Sequence, residues 1–313
     1  MMRTNTRENT LRAIHYQKPE FVPVFDGTVW QSVQLGGNFK NESWTDHWGV
    51  RWQTELDGLV PVDIYHPLAD IKKIDDFQWP DPWKLTWTPQ NQEYLDSINR
   101  DRSLVGGLHI KFLCERLCCL MGMDNFMVSM YEDPDCLQIL IDRIVDYNLV
   151  VFQRLMELGV DILHVSEDLG TQRALMISPE MFRRFFLPAY EKMFSEPVSK
   201  GIVIDFHSCG CIQEIANDLI SVGVNILNPL QVSANNQERV KAVSKDKMAI
   251  LGGIDSTVIL NGTPDAVRKE VHRAFEVLKP DGGWLAGPDQ VIVGAPQRNV
   301  TAFWDTCWEL AEY

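Results

Sequence analysis

The chain has 313 residues, 45% of them hydrophobic, and a net charge of -14 at pH 7. That length suits two domains or one α/β barrel, and the apolar share is enough for a large core. The acidic balance argues against a nucleic-acid backbone as partner. No apolar run reaches the length of a membrane span. Residues 1–8 lack the apolar centre of a signal peptide. A cytoplasmic protein is expected, with its seven cysteines reduced.

Taken in chain order, short apolar runs at 22–25, 61–66, 104–108, 162–166, 202–206, 226–229, 248–251 and 284–286 read as strands. Helical spacing fills much of the remainder. Over 134–158, Ile139, Leu140, Ile144, Val145, Leu149, Val150 and Leu155 recur every three to four residues. Ser178 caps a helix that opens with Pro179. Further helices are expected over 211–222, stopping at Gly223, and over 264–278 after Thr263. Eight strands, mostly followed by helices, indicate an α/β fold, a single (β/α)8 TIM barrel. The Trp-rich, irregular stretch over 38–103 reads as extended N-terminal loops that form a lid.

Polar residues follow the strands. Asp26, His66, Glu167, Asp168, His207, Gln231, Asp255 and Asp289 all fall at expected C-terminal strand ends. That face of a barrel carries the active site. Any one of them alone serves equally well as a helix cap. The sharpest signal is His207-Ser208-Cys209-Gly210-Cys211 just past the fifth strand. Imidazole and thiolate two residues apart can reach one zinc ion, and a catalytic zinc takes three protein ligands. Third-ligand candidates are Cys211, Glu167, Asp168 and Asp289, with Cys211 read as turned into the following helix. Glu167 and Asp168 are acid–base candidates, with a cap or a salt bridge to Arg173 as the plainer reading. Cys114, Cys118 and Cys119 lie at helical spacing and read as core, as do Cys136 and Cys307. There is no GxGxxG, Walker or GxSxG pattern.

Several segments together resemble the uroporphyrinogen decarboxylase superfamily. They are ISPEMFRRFFLPAY at 177–190, HSCG at 207–210, GVNILNPLQ at 223–231, GGID at 252–255 and GTP at 262–264. The resemblance runs from about Val22 to Asn299 and implies one barrel domain over 1–313, with its site at the C-terminal mouth. True decarboxylases of the superfamily carry an arginine-rich segment after the first strand. The corresponding stretch, 22–31, has no arginine, and a multiply anionic substrate needs guanidinium partners.

The other branch comprises corrinoid-dependent methyltransferases, whose signature is His-x-Cys and a later Cys in the last strand. His207 and Cys209 match it, while the last strand ends in Asp289 instead of a cysteine. This resemblance implies a zinc-assisted methyltransferase with a corrinoid carried by a partner protein, a small-molecule substrate and a homodimer. On this reading His207, Cys209 and Asp289 hold zinc, and Glu167, Asp168 and Asp26 are catalytic. Gln231, Asp255 and His66 bind substrate. The alternatives are decarboxylation of a porphyrinogen or smaller acid, with Asp26 as the family's aspartate, and a non-catalytic binding barrel.

Overall fold

The computed structural model describes residues 5–36, 43–54 and 61–313. Its strands, in chain order, are β1 (Trp30–Gln34), β2 (Trp44–Thr45), β3 (Arg51–Gln53), β4 (Val62–Tyr65), β5 (Leu104–His109), β6 (Ile162–Glu167), β7 (Val203–Ser208), β8 (Ile226–Leu230), β9 (Ala249–Ile254) and β10 (Trp284–Pro288). Seven form one parallel sheet in the order β1-β5-β6-β7-β8-β9-β10. Parallel neighbours need long crossovers. Amphipathic helices such as Pro134–Glu157, Leu187–Ser199 and Pro264–Leu278 supply them. Pro134–Glu157 buries Leu137, Leu140, Ile141, Ile144, Val145, Val151 and Leu155; of the expected stripe, Leu140, Ile144, Val145 and Leu155 are buried, Leu149 and Val150 are partly buried and Ile139 is exposed.

The sheet curls on itself. Trp30, Leu104, Ile162, Val203, Ile226, Ala249 and Leu285, from the N-terminal ends of the seven strands, share one apolar cluster with Val29 and with Ile14 of the helix Arg7–Ile14. A flat sheet of seven strands could not bring its two edges into one cluster. The fold is therefore barrel-like, with its N-terminal end plugged by apolar side chains and its C-terminal end open to polar ones.

Two expected strands behave differently. The segment at 22–25 makes a single parallel bridge, Val24 to Ala286, in which Phe25 N–H donates to the Ala286 carbonyl at 2.7 Å and Ala286 N–H to the Pro23 carbonyl at 2.8 Å. Pro23 has no N–H to extend the ladder. Residues 61–66 contribute β4, which pairs antiparallel with β3 in a separate small sheet with β2. The place in the large sheet is taken by β1, whose sequence WQSVQ is too polar to stand out as an apolar run. Among the described residues, the pairings make seven parallel strands plus one bridged segment, and not a closed eight-stranded ladder.

Part of the expected excursion, at 37–42 and 55–60, lies outside the described residues. The rest holds β2–β4 and the helix Pro89–Ser97. Among the described residues, no helix is long and apolar enough to cross a membrane.

Candidate metal centre

Side chains alternate across a strand, so residues two apart share a face. On β6 and just beyond, His164, Ser166 and Asp168 share one face. On β7 and its exit, Asp205, His207 and Cys209 do the same. The register pairs His164 with Asp205 and Ser166 with His207. These polar residues therefore rise side by side toward the open end of the sheet.

At the top, Asp168, His207 and Cys209 offer a carboxylate oxygen, a ring nitrogen and a sulfur, all within 4.8 Å of one another. Cys209 Sγ lies 3.5 Å from His207 Nε2, which is 3.9 Å from Asp168 Oδ1. Ligands about 2.0–2.3 Å from a tetrahedral zinc sit roughly 3.3–3.8 Å apart; the Cys209–His207 separation lies in that range, the His207–Asp168 separation just beyond it, and the donor types are those zinc takes. Asp168 Oδ1 also accepts the Cys209 N–H at 3.2 Å, which ties the two exits together. Burial, followed by the neighbouring His164, holds His207 below the usual imidazole range; the neutral ring is the form that ligates. Burial pushes the Cys209 thiol up to about 11, and Gln290 Nε2, donating to Sγ at 3.2 Å, acts in the opposite direction.

A tight turn fixes this geometry. Gly210 has φ +79°, and a Cβ there would lie 2.3 Å from the Gly170 backbone. Gly210 N–H donates to Gln231 Oε1 at 2.9 Å, and Asn235 Nδ2 to the Gly210 carbonyl at 2.9 Å. Gln231 thus holds the cysteine turn in place. Cys211 is buried, but the following helical turn begins only at Gln213; its N–H donates to the Thr171 carbonyl.

The other expected site residues are engaged elsewhere. Asp289 is buried. Its Oδ2 accepts Val232 N–H at 2.9 Å and its Oδ1 accepts Ser256 N–H at 2.9 Å and Ser256 Oγ at 2.7 Å. It cross-links β-exits and stands outside the donor group. Glu167 points to the opposite face from Asp168 and is fully buried. Its Oε1 accepts Leu113 N–H and Cys114 N–H, both at 2.9 Å, and the Tyr190 hydroxyl at 2.8 Å; its Oε2 accepts Glu115 N–H at 3.0 Å. It caps the helix Cys114–Met121, which has no cap of its own at Leu113. Burial pushes its carboxyl up to about 7, against the backbone donors.

Asp26 is exposed and closes a turn with Thr28 N–H at 3.0 Å, also accepting from Asn5 at 3.1 Å. Asp255 caps the helix Ser256–Asn261 through Thr257 N–H. His66 Nδ1 is 2.9 Å from the Cys119 carbonyl, beside the small sheet. Cys114, Cys118 and Cys119 lie on the helix Cys114–Met121, and all seven cysteines are free thiols.

Below the donors lies a polar layer that strand-end positions alone do not mark. His164 Nδ1 is 2.5 Å from Asp205 Oδ2, which also accepts from Asn228 Nδ2 at 3.1 Å. His164 and His207 rings are 5.9 Å apart. Ser166 Oγ donates to Glu115 Oε2 at 3.1 Å, and Lys111 Nζ to Glu115 Oε1 at 2.7 Å. The available signal was polar residues at a spacing of two inside apolar strands.

Comparison with known proteins places this architecture. Residues 115–310 match the family model described as uroporphyrinogen decarboxylase (URO-D). The chain belongs to the uroporphyrinogen decarboxylase family. Among its relatives is a methylated-thiol–coenzyme M methyltransferase from Methanosarcina mazei, 24% identical over 241 residues, or 75% of this chain and 62% of that protein. A uroporphyrinogen decarboxylase from Syntrophotalea carbinolica is 25% identical over 167 residues, covering 51% and 46%. A methylcobamide:CoM methyltransferase from Methanosarcina mazei is 21% identical over 178 residues, covering 56% and 50%. The chain thus spans about half to three-fifths of the length of these relatives. In fold, this family member is similar to a methyltransferase from Methanosarcina mazei, with TM-score 0.70, 17% identity and coverage of 97% and 99%.

Proposed function

We propose that this family member is a zinc-assisted methyltransferase, moving a methyl group between a small substrate and a corrinoid carried by a partner protein. The observation that carries the reading is the gathering of Asp168, His207 and Cys209 at the open end of the sheet. It is supported by the names of two relatives, which specify methyl transfer to coenzyme M, one of them from a methylcobamide. Asp168 takes the ligand position first expected of Asp289. When bound, zinc would supply Lewis acidity to a substrate heteroatom. Gln290 orients the thiol, and the Gly210 turn, pinned by Gln231 and Asn235, fixes the spacing between Cys209 and the strand. Outer partners of this kind set ligand orientation and affinity.

Metal analysis of the purified protein, with Cys209→Ser beside it, tests the zinc assignment. Methyl transfer from a methylated corrinoid to a thiol tests the reaction. Trace zinc unaffected by Cys209→Ser, or no transfer by a zinc-loaded protein, would overturn the corresponding half.

The relative named as a uroporphyrinogen decarboxylase favours one alternative. Residues 22–31 offer a multiply anionic substrate no guanidinium. Carbon dioxide release from uroporphyrinogen would decide for that alternative.

A further inference from the structure

A second polar feature stands beside the candidate metal centre. At the C-terminal ends of β1 and β5, under the small sheet, lies a cavity of about 130 Å³. A dry cavity of roughly 150 Å³ holds one benzene ring; this one is slightly smaller and open on one side, so part of a benzoate-sized ligand stays outside it. Trp48, Trp52 and Tyr147 form walls of this one, with Arg116, Lys111 and His109 among its polar residues. The Trp48 and Tyr147 rings pack 4.5 Å apart.

Arg116 is the unusual member. It is only 7% exposed, and a buried guanidinium normally has its donors matched. Its hydrogen bond to Asp46 Oδ2 is long, at 3.4 Å. Asp46 is already occupied by Trp48 N–H at 2.9 Å, Val50 N–H at 3.0 Å and Trp52 Nε1 at 3.0 Å. The guanidinium carbon lies 4.9 Å from the Trp48 ring centre, and the 3.4 Å pairing of Nη1 with Asp46 leaves donor capacity for a further acceptor. Lys111, by contrast, is matched to Glu115 at 2.7 Å. The histidines do not compete for an anion, because burial holds both His47 and His109 below their usual range.

We infer that this cavity binds a small planar carboxylate, its anionic end paired with Arg116 and its flat body against Trp48, Trp52 and Tyr147. A planar fork of donors matches a carboxylate in two parallel bonds. The cavity communicates with the donor group through named contacts. Lys111 on its wall bonds Glu115, Glu115 bonds Ser166, and Ser166 is the register partner of His207. The inference rests on the methyl-transfer reading only in naming the carboxylate as the methyl donor or acceptor; binding itself is independent of it.

Tryptophan fluorescence of the protein, titrated with benzoate, benzamide and ethanesulfonate, tests the inference. Benzoate is expected to bind saturably. Neutral benzamide and tetrahedral ethanesulfonate are each expected to bind about tenfold more weakly or worse, since a charge-assisted pair is lost or misshapen. Arg116→Met is expected to lose the preference for benzoate over benzamide. Equal binding of benzoate and benzamide by the wild type, tighter binding of ethanesulfonate, or no benzoate binding would each overturn the inference. The wild-type comparison needs no variant, so misfolding of Arg116→Met leaves the test intact. Zinc content of the same preparations separates the two readings. A zinc-loaded protein that ignores benzoate sinks the cavity alone. A zinc-free protein that selects benzoate upholds the cavity and sinks the metal reading.

Discussion

Glu167 and Asp168 are adjacent in sequence and opposite in task, because a strand sends neighbours to opposite faces. Glu167 turns outward and accepts three backbone N–H groups and one hydroxyl. Removing it leaves buried donors unpaired, each costing about 1–3 kcal/mol. Glu167→Ala is therefore expected to lower unfolding free energy by roughly 3 kcal/mol or more in urea titrations, and Glu167→Gln by less. A Glu167→Ala protein as stable as the wild type would refute the capping role.

His109 supplies a pH dependence. Burial pushes its imidazole down to about 4 while its Nε2 stays 2.8 Å from Asn148 Oδ1. An unfolded histidine titrates near 6.5. Between those values the unfolded chain takes up a proton that the folded chain refuses. The contribution is complete above about pH 6.5 and is lost as pH falls toward 4, by at most about 3 kcal/mol. His109→Gln is expected to lose less stability than wild type between neutral pH and pH 4, measured as denaturant midpoints. Parallel pH profiles would count against this assignment.

The element that sets the site is the β7 exit and its turn. Cys209 shares a face with His207 and is followed by Gly210, which turns the chain at φ +79°, where an added Cβ would collide with the Gly170 backbone at 2.3 Å. Gly210→Ala is expected to cost more than about 2 kcal/mol and to weaken zinc binding along with it. Unchanged zinc content would show that the turn does not position the thiol. This element was largely legible in the sequence, since an apolar run ending in His-x-Cys-Gly states both strand and turn. Asp168 was legible as a strand-end polar residue. Its partnership with His207 was not, because partnership depends on the β6–β7 register, a long-range quantity. The surroundings of Asp289 were not legible for the same reason. Its position after β10 matched a ligand's place in the chain, while its carboxylate is spent on Val232 and Ser256.

At the scale of the whole molecule, repetition of strand and helix made the parallel α/β architecture readable from periodicity alone. Closure was less readable. The polar strand β1 looks like a loop, and the apolar segment 61–66 looks like a barrel strand but joins an antiparallel sheet. Apolar runs reveal strands buried on both faces; they miss a strand such as β1 with exposed and polar positions. The small sheet built from β2–β4 nevertheless contributes to the molecule's polar end, because it roofs the cavity lined by Trp48, Trp52 and Arg116.

In the proposed centre Asp168, and not Asp289, completes a zinc site with His207 and Cys209. Zinc per folded chain, measured by elemental analysis after dialysis, tests it most directly. The wild type and Asp289→Asn are expected to hold about one zinc each, and Asp168→Ala and Cys209→Ser to lose most of theirs. Full zinc in Asp168→Ala together with its loss from folded Asp289→Asn would contradict the claim.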